Sequence, residues 1–341
     1  MSSKSRRGRI LWTTAVALIA LSSAAFGETT FTVNSTDDLP DANPGDGICD
    51  ADLDEPGEQC TLRAAVQEAN ATNDQVIIEV PAGRYRLRVR GAFEDAAATG
   101  DLDISGDVVI RRTGATDGIV VIDGKKLKDR IFDVVSISGS LRLENIIVTK
   151  GSAPSGESGG GVRSLSGTLV MVGCTVSKCK SKDDAGGVDI GRATVTLIDC
   201  VIEKNKARDD GAGIDVDFGV VTLQGCVFSK NKARDDGGAL ESSGGDVTLS
   251  NCTFARNKAR REGGALNLED GARTTITACE FTRNRAKTGA AIATRDIALG
   301  ANDTTISSSQ FSKNKRQSCV GIVTDGGGNT VDDNSCDLGD G

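Results

Sequence analysis

The 341-residue chain has no histidine, one tryptophan and one tyrosine. Without histidine it lacks the commonest general base, the usual zinc ligand and any Ser-His triad. Any chemistry must rest on carboxylates, lysine and arginine. The single tryptophan, Trp12, sits in the N-terminal segment, so platforms for stacking sugar rings are nearly absent from the rest. No apolar run of membrane length occurs after that segment. The formal net charge is −8, and the first 27 residues hold four bases and no acid, which leaves −12 for the remainder. That balance argues against nucleic acid or anionic lipid as a partner, because both demand neutralising Lys and Arg.

Residues 1–27 read as an export signal. Lys4, Arg6, Arg7 and Arg9 precede an apolar run from Ile10 to Leu21, and Ala25-Phe26-Gly27 offers a small-x-small cleavage site. An uncleaved anchor is the alternative. The expected location is therefore secreted, extracellular or on the outer cell surface, by the general secretory route.

What the chain has in abundance is glycine, 42 residues, and repetition. Cys174, Cys200, Cys226, Cys252 and Cys279 recur at intervals of 26, 26, 26 and 27 residues. Three residues before each stands Met171, Leu197, Leu223, Leu249 or Ile276, and two after stands Val176, Ile202, Phe228, Phe254 or Phe281. Five after come Cys179, then Asn205, Asn231, Asn257 and Asn284, and the series continues to Asn314. A Gly/Ala pair then precedes Val188, Ile214, Leu240, Leu266 and Ile292. Such a period marks a solenoid, with degraded copies expected at its ends.

Within a copy, V-T-L-x-x-C-x-F alternates with period two and shows no helical stripe. The expected fold is all-β: a single-stranded parallel β-helix with three short strands per coil of about 26 residues. Each sequence column then becomes a stack at about 4.8 Å. The leucine, cysteine and phenylalanine columns point inward and build a long thin core. The asparagine column forms a ladder at a turn. Gly237, Gly238, Gly263 and Gly264 supply bends. Residues 59–71, QCTLRAAVQEANA, predict a short capping helix with Thr61 as N-cap. The organisation reads as signal 1–27, N-terminal cap 28–75, β-helix 76–316, and a C-terminal disulfide loop with acidic tail 317–341.

Cys60-Thr61-Leu62-Arg63-Ala64-Ala65 resembles the motif of the bacterial CSLREA-domain proteins, with FTVNSTDD (31–38), VPAGRYRL, GDLDI (100–104) and SCVGIVTDGGGNTVDDNSC (318–336) in support. Ala64 departs from the motif's Glu. The G-G-A-L and F-x-x-N elements are similar to repeats of chlamydial polymorphic outer membrane proteins. Both resemblances imply an exported right-handed β-helix, and neither implies a settled enzymatic activity.

Of the ten cysteines, Cys49 with Cys60 and Cys319 with Cys336 each close a short irregular segment near one end, where a disulfide stabilises most. The column Cys174, Cys200, Cys226, Cys252 and Cys279 reads as small buried hydrophobes, since inward stacking does not converge four sulfurs on one point. Asp50, Asp52 and Asp54 alternate in a loop and are calcium candidates, but the Gly and Glu of an EF-hand loop are missing. No other cofactor is expected. Repeated K-x-R-D-D turns predict interleaved ion-pair ladders. Asp189, Asp215 and Glu241 form a second acidic row, placed by the pattern on a solvent-facing sheet. Two carboxylates one or two rungs apart have the spacing for glycoside hydrolysis, so these three are the catalytic candidates if the chain is an enzyme.

The expected function is an exported structural or adhesion-like surface protein, its partner a cell-surface component or polysaccharide. The alternatives are a polysaccharide lyase or hydrolase working through the acidic row, and a calcium-dependent binding module.

Overall fold

The structure is a computed structural model and describes residues 29–114, 118–295, 303–333 and 335–336. The proposed export segment lies outside the described residues. Strands fall into three wholly parallel sheets of eleven, ten and nine strands. One coil gives one strand to each: Val220–Gln224 to the first sheet, Val227–Ser229 to the second, Leu240–Ser243 to the third. Every strand pairs with its counterpart one coil away, so Leu197, Leu223, Leu249 and Ile276 lie in one register. The three-strand solenoid expected from the repeat is the observed fold.

The inward columns form the core. The rings of Phe228, Phe254, Phe281 and Phe311 stack with centroids 4.8, 4.9 and 4.8 Å apart, their planes nearly parallel. That spacing equals the interstrand distance, so the sheet itself imposes the offset stack. The column cysteines are buried and reduced, as expected. The thiols of Cys174, Cys200, Cys226 and Cys252 each donate to a carbonyl of the preceding coil, as Cys200 Sγ does to Met171 O at 3.4 Å and Cys226 Sγ to Leu197 O at 3.4 Å, while Cys279 Sγ donates to Thr277 O of its own coil. Burial pushes the Cys179 thiol up to about 12, which keeps it protonated and inert.

The asparagine ladder is continuous. Asn257 Oδ1 accepts from the Asn231 N–H at 3.0 Å, and its amide donates to Phe228 O at 2.9 Å and Asn284 Oδ1 at 3.2 Å. Asn231 and Asn284 repeat the pattern. Left-handed geometry belongs not to the asparagines but to the residue before each: Lys204, Lys230, Arg256, Arg283 and Lys313 have φ of +56° to +59°. The ladder fastens the next backbone N–H across the turn and holds these lysines and arginines in a conformation that costs a side chain about 1–2 kcal/mol.

The ends are closed by built structure. The segment before residue 76 contributes the edge strand Thr29–Thr32, paired with Val76–Val80, as well as the helix Leu62–Asn70. Thr61 caps that helix, its side chain accepting from Ala64 N at 3.0 Å. Glu68 accepts from the N–H groups of Gly45 and Gly47, and Asn70 Oδ1 from Ser105 and Gly106. The disulfides Cys49–Cys60 and Cys319–Cys336 both form. Around the second, Cys319–Val320, Thr324–Asp325 and Thr330–Val331 add one last short strand to each sheet.

Candidate functional site

The third sheet carries an acidic column at the central position of each short strand. In register run Asp103, Asp133, Arg163, Asp189, Asp215, Glu241 and Asn267. Each is flanked by inward residues such as Val188 and Ile190, so the column points away from the core. It does not face solvent as the sequence pattern suggests. Asp189, Asp215 and Glu241 are 7%, 5% and 4% exposed. What covers them is the glycine turn. Gly211 (φ +56°) lies on Asp215, and Gly237 (φ +58°) lies on Glu241, so close that an added Cβ would come within 2.4 Å of Asp215 Oδ1 and 2.7 Å of Glu241 Cβ.

Burial sets the electrostatics here. It raises Asp189 to about 7, with Arg163 pulling the other way. It raises Asp215 and Glu241 well above the carboxylate range, and the neighbouring charges of Asp184 and Asp189 add to the rise at Asp215. Adjacent strands place the two groups about 4.8 Å apart along the sheet. The arrangement suits a shared proton better than two anions. Its spacing also matches that of a glycosidase pair. The difference lies in access, since the turns fill the space a substrate would need.

A second carboxylate row holds the turns to one another. Asp184 Oδ1 accepts from Asp210 N at 2.9 Å, Asp210 Oδ1 from Asp236 N at 2.6 Å, and Asp236 Oδ1 from Glu262 N at 2.7 Å. Burial, followed by the charges of Asp236 and Asp184, raises Asp210 to about 6.

At the capped end, oxygens of Asp101, Asp103 and Asp133 lie within 4.8 Å of one another, the one such trio among the described residues. Arg130 already reaches Asp101 at 3.2 Å and Asp133 at 3.0 Å, so an arginine supplies the positive charge a metal would bring. Asp50, Asp52 and Asp54 do not gather. Asp50 Oδ1 accepts from the Asp52 and Gln59 N–H groups, and Asp52 Oδ1 from that of Asp54. Their alternation builds local turns.

The model of the right-handed β-helix region family matches residues 104–254 and 187–338. The chain belongs to the right-handed β-helix family. No curated protein matches it. Among solved structures, ORF18 of Geobacillus virus E2 is similar with a TM-score of 0.47 and 10% identity over 85% of this chain, which spans 59% of that one.

The outer edge of this β-helix, between the second and third sheets, is basic. In K-N-K-A-R, the asparagine and alanine turn inward and the three charged residues outward. One column runs through Lys178, Lys204, Lys230, Arg256, Arg283 and Lys313. A second, linked rung to rung by backbone bridges, runs through Lys180, Lys206, Lys232, Lys258, Arg285 and Lys315. A third holds Lys182, Arg208, Arg234, Arg260 and Lys287, all exposed. The expected ion-pair ladders do not form. Among the described residues, Lys204 with Glu203 at 2.7 Å is the one ion pair these columns make. The acids written beside them turn away: Asp184, Asp210 and Asp236 bond backbone N–H groups under the turn. The charged columns are visible in the sequence, but their basic balance is not, because sequence counts Asp210 and Asp236 beside them while the fold turns these inward.

Proposed function

We propose that the chain is an exported structural or adhesion-like surface protein that presents a long rigid face and has no catalytic centre. The β-helix fold is shared by surface proteins and polysaccharide-degrading enzymes. The observation that carries the non-catalytic reading is the cover over three buried carboxyls: Gly211 lies on Asp215 and Gly237 on Glu241, each from its own coil, and Gly159 of the preceding coil lies on Asp189. Catalytic carboxylates must reach the scissile bond. The resemblance to CSLREA-domain proteins and the basic, apolar N-terminus support export. Incubation with acidic and neutral polysaccharides, read as new reducing or unsaturated ends, should give no turnover, and cell fractionation should place the protein outside the cytoplasm. Robust turnover that vanishes in Asp215→Asn would establish the alternative, a polysaccharide lyase or hydrolase.

A further inference from the structure

We propose that the three-column basic stripe binds a straight, linear anionic polysaccharide lying along the solenoid axis. This names the partner class for the surface role proposed above and rests on that reading. From Lys178 to Lys313 the stripe advances five rungs, about 24 Å, with up to three cationic side chains abreast on each. Like charges one rung apart repel, and here the repulsion is not relieved within the chain. Lys206, Lys232 and Lys258 are exposed and make no ion pair among the described residues, although acids lie within four residues in sequence. The fold directs Asp210 and Asp236 into backbone hydrogen bonds, sends Asp235 toward Arg261 and Glu262 toward Arg295, and leaves these three lysines outward. A linear polyanion relieves the repulsion all along the stripe.

The shape and chemistry of the stripe discriminate among polyanions. The column phenylalanines all face the core, and the stripe's own turn contains no aromatic residue, so unpaired bases have no stacking platform. Duplex DNA presents a phosphate about every 3.4 Å per strand on a path that winds away from a straight row. A lipid surface is met best by a broad face with apolar side chains to insert, whereas this is a narrow ridge of lysines and arginines. A polysaccharide with one charge per sugar or disaccharide is straight, polar and periodic on the scale of the rungs.

The test uses the full chain and measures binding to dextran sulfate, alginate, uncharged dextran, a duplex DNA, oligo-dT and phosphatidylserine vesicles. Dextran sulfate and alginate should bind, with affinity falling steeply with salt, and dextran should not. Replacing Lys206, Lys232 and Lys258 together by Glu should weaken binding at least tenfold, replacement by Gln should weaken it less, and Lys→Arg at all three should retain it. Circular dichroism and melting curves report whether each variant is folded, and the Gln variant carries the test should the Glu variant not fold. Unchanged binding in the folded Gln or Glu variant, equal binding of uncharged dextran, or tighter binding of DNA, oligo-dT or vesicles than of the charged polysaccharides would each overturn the proposal. Cleavage of a bound polysaccharide would overturn the non-catalytic reading and leave the stripe standing. Absence of both cleavage and binding would remove the stripe's role alone.

Discussion

Asp215 and Glu241 stand opposite each other in adjacent parallel strands, and each keeps one buried carboxylate oxygen that no N–H or hydroxyl among the described residues reaches. Burial raises both above the ordinary range, and Asp184, Asp189 and Asp217 face Asp215 while Asp210 and Glu269 face Glu241. None of the principal charges acting on either is cationic.

A stability profile with an unusual slope follows. Asp210 is raised to about 6, Asp189 and Asp101 to about 7 and Asp103 to about 8, all from 3.8. The folded state therefore binds protons more tightly than the unfolded chain, so these groups favour folding most at low pH. That contribution is lost as pH rises from about 4 to about 8. Asp123 acts in the opposite sense: burial would raise it, but Lys150 and Arg84 hold it below its ordinary value, and its contribution is lost only as acid protonates it. The raised groups outnumber the lowered ones, so the melting temperature should be higher at pH 5 than at pH 8. Asp215→Asn should flatten the profile, and a melting temperature that climbs from pH 5 to pH 8 would contradict the assignment.

Asn257→Ala removes the acceptor for the Asn231 N–H and the donor for Phe228 O, both buried. Leaving two such groups unsatisfied should cost about 2–5 kcal/mol in urea unfolding. Asn257→Asp keeps the acceptor and loses the donor, so it should cost less when the carboxylate is protonated than at neutral pH.

The coil was legible because its columns hold chemistry that only stacking explains: a Phe at 228, 254 and 281 and an Asn three residues after each. The cap was legible in Thr61 and the apolar face behind it. The covering of Asp215 was not, because it depends on Gly211 folding back over a residue four positions on, which no periodicity records. Asp103 and Asp133 escaped because the first coils run to 30 residues and slip out of the 26-residue alignment. The triplets Leu-Asp-Ile (102–104), Phe-Asp-Val (132–134) and Val-Asp-Ile (188–190) were the available signal. The stripe was hidden by sequence neighbours of opposite sign that the turn sends to opposite sides.

The two glycines of each pair should differ in tolerance. Gly237 has φ +58°, and the equivalent position in another coil holds Ala185 at φ +48°, so Gly237→Ala is strained but has a precedent. Gly238 has ordinary φ and its own precedents in Ala212 and Ala290, yet on its present backbone an added Cβ would come within 2.2 Å of Gly264 O, a backbone atom of the next coil. Gly238→Ala should therefore lower the melting temperature more than Gly237→Ala, although the Ramachandran preference alone ranks them the other way. Comparing the two single variants by calorimetry settles the order.

Arg63 tests whether the motif it belongs to is structural. Its guanidinium is fully buried and donates to Asp38 Oδ1 at 2.9 Å, to Ala97 O at 2.9 Å, to Asp101 O at 3.0 Å and to Gly100 O at 2.7 Å. It thus ties the capping helix to the strand Thr29–Thr32 side of the cap and to the loop before the third sheet. Asp38 in turn accepts from the N–H groups of Arg88 and Val89. Arg63→Leu leaves that carboxylate buried without its counter-charge, which should cost about 3–5 kcal/mol. Arg63→Lys keeps the charge but cannot span four acceptors, so it should recover only part of the loss. If the cap loosens as a unit, trypsin will cut first at Arg86, Arg88 or Arg90 in these variants, while the coils around Phe254 stay resistant. Equal protease resistance in Arg63→Leu and the parent would mean that the helix is held by its apolar face alone.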